Sequence, residues 1–161
     1  MKLLLHACCG PCSLEPVRIL AEAGHDITIA YLNSNIAPAS EYEHRLKTLL
    51  EWAKSQNIPV IEGPYEPATW QNAIKQNWDG TQENRADRYR ACYRIRLEEL
   101  ARYAHEHGFE GIGTTLTVSP YQYIDIINEE LERAAAPYEG LSAVFQDFRE
   151  FYPQATIRSR E

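Results

Sequence analysis

Short apolar runs alternate with longer stretches of helical periodicity along the chain, and this alternation constrains the fold more than any other feature. Residues 2–7 (KLLLHA), 26–32 (DITIAYL), 58–62 (IPVIE) and 109–115 (FEGIGTT) read as buried strands, being apolar or β-branched runs bounded by Gly, Pro or polar residues. Between them, residues 13–23, 70–78, 87–107 and 119–136, and a stretch opening at Ser40, read as helices. Val17, Leu20 and Ala21 share one face of the first, and Gly24 stands just past its end. Ser40 with Glu43 has the form of a capping box, followed by an apolar stripe of Tyr42, Leu46, Leu49, Leu50 and Ala53. Tyr93, Leu97, Leu100, Ala101 and Ala104 form the stripe of the 87–107 helix, which Gly108 is placed to end. Ser119-Pro120 suits the N-cap and first turn of the last helix. Residues 145–161 read as a tail of irregular structure or a short strand. Strands that alternate with helices predict an α/β fold: a parallel sheet with helices on both faces.

At 161 residues the chain fits one domain, residues 1–161, against a prior of about 150 residues per domain. Four cysteines are too few for a disulfide scaffold, and no apolar run approaches the ~20 residues of a membrane span. Leu3-Leu4-Leu5 runs at once into His6 and cysteines, which is not the pattern of a signal peptide. The expectation is a compact cytoplasmic protein with no membrane partner. A net charge of −7 argues against a broad basic surface for duplex nucleic acid, although Arg85, Arg88, Arg90, Arg94 and Arg96 crowd one helix.

The chemistry concentrates in Cys8-Cys9-Gly10-Pro11-Cys12-Ser13, between the first strand and the first helix. In open α/β sheets ligands bind outside the carboxyl ends of the strands, where helix N-termini converge. The partial positive charge of a helix N-terminus favours thiolate, the form that ligates metals and attacks disulfides. Cys92, near the start of the Arg-rich helix, belongs to the same edge of such a sheet, so all four cysteines can gather there. Only Cys9 and Cys12 make the paired knuckle that structural zinc prefers, whereas thiolates converging from two segments suit an iron–sulfur cluster. The competing reading is a thioredoxin-like dithiol oxidoreductase using Cys9-Gly10-Pro11-Cys12. An ATP-splitting phosphate loop would need small and acidic residues where this loop has cysteines and proline.

Five blocks, in order, resemble one family: the iron–sulfur, cobalamin-independent epoxyqueuosine reductases (QueH). They are LLLHACCGPCS, NSNIAPASEYEHRL, RACYRIRLEELARYAHEHGF, GTTLTVSPYQ and QDFREFY. The resemblance implies a Rossmann-like fold of the HUP or PP-loop type, a [4Fe–4S] cluster with an additional adjacent iron or other divalent metal, and a tRNA substrate. It further implies two-electron removal of the epoxide oxygen from epoxyqueuosine at the wobble position of the anticodon loop, fed by an external electron donor. Carried over by position, Cys8, Cys9 and Cys92 become cluster ligands, and Cys12 serves the adjacent metal as a catalytic residue. Two departures from the family pattern stand out: Tyr89 occupies the position of a cysteine three residues before Cys92, and the sequence ends at Glu161, short of the family's Cys-containing tail.

In this reading the developing alkoxide needs a proton donor, for which Tyr89, Tyr93 and Tyr121 are the candidates. Asn35, Thr114 and Thr115, at strand ends, would orient the substrate. Arg90 and Arg94, four apart and so on one helix face, would meet tRNA phosphates, with folding and cluster content unaffected by the loss of both, while Arg88 and Arg96 contribute to the patch from elsewhere on the helix. His6 reads as a satisfied strand residue rather than a ligand.

Overall fold

The computed structural model describes residues 1–7, 13–77, 80–81 and 85–153. Five strands form one parallel sheet in the order β3-β2-β1-β4-β5: β1 Lys2–His6, β2 Asp26–Tyr31, β3 Val60–Glu62, β4 Gly111–Thr114 and β5 Ser142–Ala143. Five helices connect them: α1 Leu14–Glu22, α2 Ala39–Ser55, α3 Pro67–Asn77, α4 Arg85–Glu106 and α5 Ile124–Ala135.

Alternation along the central strands decides which helix goes where, because successive side chains point to opposite faces. Leu3 and Leu5 pack with Val17 and Leu20 of α1 and Tyr42 and Leu49 of α2. Leu4, Ala30 and Ile112 face the other way, onto Leu97, Leu100 and Ala104 of α4 and Ile127 and Leu131 of α5. Both faces of β1 are thus covered, as its unbroken LLLH run requires. The expected parallel sheet with helices on both faces is the fold observed.

Several boundaries move, each for a local reason. Helix α2 starts at Ala39 with Pro38 as N-cap and no side-chain cap bond, so Ser40 lies inside the first turn and the expected capping box does not form. Leu50, expected in the stripe of α2, is 44% exposed while Leu49 and Ala53 are buried, because the stripe is narrower than the apolar count suggested. Ser119-Pro120 does not begin α5. Ser119 ends a 3-10 turn, Leu116–Val118, and its hydroxyl accepts the Tyr121 N–H, so the helix waits until Ile124. The fifth strand precedes the expected tail, pairing Gly111 with Ser142 and Ile112 with Ala143, and the Asp147-Phe148-Arg149 element buries Phe148 beside β1 and β2. The rest of that tail, residues 154–161, lies outside the described residues. Glycine endings hold as read: Gly24 and Gly108 adopt φ of +96° and +75° just after α1 and α4.

Chain order reverses between β1 and β4, both of which run out to the same edge of the sheet. That switch point is where an open parallel sheet leaves a crevice beyond its carboxyl ends.

Candidate functional site

At the switch point the last residues of β1 and β4, His6 and Thr114, are register partners. His6 is completely buried, with Nδ1 3.1 Å from Thr114 Oγ1 and Nε2 3.1 Å from Asn33 Oδ1. Burial, then the charge of Arg96, hold its imidazole well below the ordinary value, so the ring is neutral. The network assigns its tautomer. Asn33 Oδ1 can only accept, so Nε2 carries the proton, and Nδ1 accepts the Thr114 hydroxyl proton. Thr114 Oγ1 in turn accepts the Leu116 N–H at 3.2 Å.

From Asn33 the network continues in two directions. Its Nδ2 donates to the Ala7 carbonyl at 3.0 Å, and its Oδ1 receives Arg96 Nη2 at 2.9 Å across 63 residues of sequence. Arg96 Nη1 then donates to Cys92 Sγ at 3.7 Å. Three hydrogen bonds therefore tie the Cys92 thiol to the carbonyl of the residue that precedes Cys8. Cys92 itself is buried, on the second turn of α4 rather than at its opening, because α4 starts at Arg85. Asn33 escaped the sequence reading as a site residue, and Arg96 was expected only in the phosphate-facing patch. Arg96 stands i+4 from Cys92, a spacing that places both on one helix face.

Cys8, Cys9 and Cys12 lie outside the described residues, as do the knuckle and the dithiol motif that they would form. Among the described residues no three His, Cys, Asp or Glu side chains gather to hold a metal ion. What these residues do supply at this edge is one soft thiol, Cys92, with an N–H donor at its sulfur, and that chemistry fits an iron–sulfur group.

The candidate tyrosines differ sharply. Tyr93 is 1% exposed; its hydroxyl donates to Gln122 Oε1 at 2.5 Å and accepts the Tyr123 N–H at the head of α5. Burial pushes its phenol far above the ordinary range. Tyr89 sits one turn before Cys92, partly buried against Tyr93 and Tyr123, and its hydroxyl accepts from Arg85 Nη2 at 3.2 Å. Tyr121 is 76% exposed, edge-on to Tyr152.

Of the substrate candidates, Thr114 is engaged by His6, while Thr115 is buried with its N–H on the His6 carbonyl. Neither Thr115 Oγ1 nor Asn35 Oδ1 has a hydrogen-bond partner among the described residues, and both atoms are buried. Arg90 and Arg94 do share a face, and that face meets α5. Arg90 Nη1 and Arg94 Nη2 reach Glu130 Oε1, each at 2.9 Å, and Arg90 Nη2 reaches Glu129 at 2.7 Å. Burial pushes the Glu130 carboxyl up, but the hydrogen bonds and charges of Arg94 and Arg90 outweigh it and hold it below its ordinary value. The expectation that these arginines are dispensable for folding is therefore corrected, since Glu130 is a buried carboxylate that depends on them. Arg96 is corrected as well: at 6% exposure it cannot belong to a surface patch.

No described helix is long and apolar enough to cross a membrane. Compared with protein families, residues 3–161 match the one described as Epoxyqueuosine reductase QueH. Among curated proteins, the chain is 36% identical over 141 residues to the epoxyqueuosine reductase QueH of Haemophilus influenzae, covering 87% of this chain and 56% of that protein. The Histophilus somni protein of the same name is 35% identical over 147 residues, covering 91% and 59%. That of Dehalococcoides mccartyi is 30% identical over 153 residues, covering 94% and 79%. The chain thus spans little more than half the length of the first two relatives. A solved structure titled as a predicted subunit of tRNA methyltransferase from Methanocaldococcus jannaschii superposes with a TM-score of 0.59 at 12% identity, over 99% of this chain and 76% of that one, a likeness of fold.

Proposed function

The chain belongs to the epoxyqueuosine reductase QueH family, and from that premise we propose that it is an oxidoreductase that converts epoxyqueuosine at the wobble position of tRNA to queuosine. The observation that carries the reading at residue level is the hydrogen-bonded path from Cys92 through Arg96 and Asn33 to the carbonyl before Cys8. Cys8, Cys9 and Cys92 would hold a [4Fe–4S] cluster, and Cys12 an adjacent iron or other divalent ion. Bound there, such a cluster supplies electrons one at a time from an external donor.

The reaction consumes two electrons and two protons: both C–O bonds of the epoxide break, a C=C bond forms, and the oxygen leaves as water. The chain's own groups serve the proton and the positioning. Tyr89, one helical turn from Cys92, keeps its hydroxyl proton undonated in the hydrogen bond from Arg85, so that proton can pass to an alkoxide. Tyr93 acts on position instead, its hydroxyl tying α4 to the first turn of α5. The neutral His6, buried between Thr114 and Asn33, ties the ends of β1 and β4 to the loop after β2. The buried oxygens of Asn35 and Thr115 are available to orient the nucleoside.

Protein purified without oxygen should be brown and contain iron and sulfide. With a low-potential reductant it should turn epoxyqueuosine tRNA into queuosine tRNA, read by mass spectrometry of the digested nucleosides. Stoichiometric zinc without iron, or iron-loaded protein that leaves the epoxide intact, would overturn the reading.

A further inference from the structure

Arg96 of α4 is a cation taken out of water, 6% exposed, with no carboxylate partner among the described residues. Its Nη2 donates to Asn33 Oδ1 at 2.9 Å and its Nη1 to Cys92 Sγ at 3.7 Å, while its buried Nε–H has no acceptor among the described residues. Charged groups nearby are engaged elsewhere. Glu130 serves Arg90 and Arg94, the Glu99 carboxyl is drawn by Arg102, and His6, beyond Asn33, is neutral. A guanidinium cannot shed its proton, so burial leaves it charged, and a buried charge without a counter-ion is costly. Of its two partners the Asn33 amide is neutral in every state. Only the Cys92 sulfur can carry negative charge, as a thiolate.

The surroundings strengthen whatever passes between the two. Cys92 is buried with Ala91 and with Ile74 of α3, and Trp70 and Ile95 pack against them. In such an apolar setting a charge acts on its neighbour more strongly than through water. The guanidinium is also aimed. Asn33, itself held by His6 and the Ala7 carbonyl, anchors Nη2, and the planar fork then directs Nη1 at the sulfur one helical turn away.

We propose that Arg96 is the counter-charge of the iron–sulfur group at Cys92, and that its N–H on the ligand sulfur sets how readily that group accepts an electron. The identity of the group rests on the function proposed above. Charge gives the sign. Thiolate-held iron–sulfur groups are negative and become more so on taking up one electron from the external donor. A fixed positive charge and a hydrogen bond at sulfur favour the reduced form, so Arg96 raises the reduction potential. A residue that merely braced the fold would behave otherwise. Without Arg96, Asn33 Oδ1 keeps its bond from His6 Nε2, so Arg96→Met strands no acceptor there and removes a buried charge. The metal-free protein should therefore lose nothing by the change.

Wild type, Arg96→Met and Arg96→Lys are compared as full chains, loaded with iron and sulfide without oxygen and titrated with dithionite, the reduced form read by electron paramagnetic resonance. Arg96→Met should shift the one-electron equilibrium about tenfold toward the oxidised form, which is about 59 mV to lower potential. Arg96→Lys, which keeps the charge and loses the fork, should lie between that value and wild type. Metal-free Arg96→Met should melt no lower than metal-free wild type. If Arg96→Met holds no iron while melting like wild type, Arg96→Lys carries the comparison and must lie below wild type. An unmoved potential, an Arg96→Lys as low as Arg96→Met, or a metal-free Arg96→Met melting well below wild type would overturn the counter-charge. Wild type that takes up no iron and sulfide would overturn it together with the cluster itself. Turnover of epoxyqueuosine tRNA with an unmoved potential would refute the counter-charge and leave the activity; a lowered potential without turnover in wild type would do the reverse.

Discussion

His6 and Thr114, 108 residues apart in sequence, meet as register partners on adjacent parallel strands, with the imidazole Nδ1 3.1 Å from the threonine hydroxyl. The hydroxyl donates to the ring and accepts the Leu116 N–H, so one small side chain closes the end of β4, while Asn33 Oδ1 on the other ring nitrogen fixes the imidazole tautomer. Replacing Thr114 by Val keeps the shape and strands two buried groups, His6 Nδ1 and the Leu116 N–H. Urea denaturation of Thr114→Val should show a loss of about 1–3 kcal/mol, and Thr114→Ser should lose less than half as much. Equal stability of Thr114→Val and wild type would mean that water serves both groups.

Glu130 gives the pH dependence a sign. Its carboxyl is held below the ordinary value by Arg94 and Arg90 against the opposing pull of burial. A carboxyl with a depressed folded-state pKa contributes stability above its unfolded pKa and loses it as pH falls through the folded value. Glu130→Gln should therefore be less stable than wild type at pH 7, and the gap should narrow below about pH 5. Paired denaturation curves at pH 7 and pH 4 measure it; a gap that stays constant would assign the loss to packing.

The double variant Arg90→Ala/Arg94→Ala should destabilise the fold by about 2–3 kcal/mol, because Glu130, with a side chain 1% exposed, is left without a cation. The figure is below that of a fully buried pair, since Arg90 and Arg94 are about a third exposed. Calorimetry checks the stability. Binding of tRNA across a salt series checks the phosphate contact, which requires the slope to fall by about one per arginine.

Tyr89 and Tyr93 should separate in kinetics. Tyr89→Phe removes the proposed proton donor and should lower kcat by about a hundredfold, with KM little changed. Tyr93→Phe removes the tie between α4 and the head of α5 and should cost about 1 kcal/mol of stability with kcat within a few-fold of wild type. Single-turnover measurements on iron-loaded protein give the comparison. The reverse pattern would exchange the two roles.

The lesson for reading such chains lies in Arg96 and Glu130. Sequence placed Arg90, Arg94 and Arg96 together as one positive group, since charge is legible residue by residue but its partners are not. Only the fold brings α5 against α4 and so gives Arg90 and Arg94 to Glu130, while Arg96 turns to the sheet and meets Asn33. The end of β2 is no nearer in sequence to α4 than many other segments, and nothing in the residues around Asn33 names Arg96 as its partner.

What the sequence determined by itself was the layered α/β plan, because periods of two and 3.6 are local properties that each segment carries unaided. It pointed equally to the end of β1 as the seat of the chemistry, a reading whose thiols Cys8, Cys9 and Cys12 lie outside the described residues. Tertiary structure decided the rest: the strand order that sets His6 beside Thr114, the buried position of Cys92 within α4, and the division of the arginines between a clamp and a buried path. These depend on contacts between segments tens of residues apart, and burial fixes the meaning of a charged or polar side chain only once its neighbours across the fold are in place.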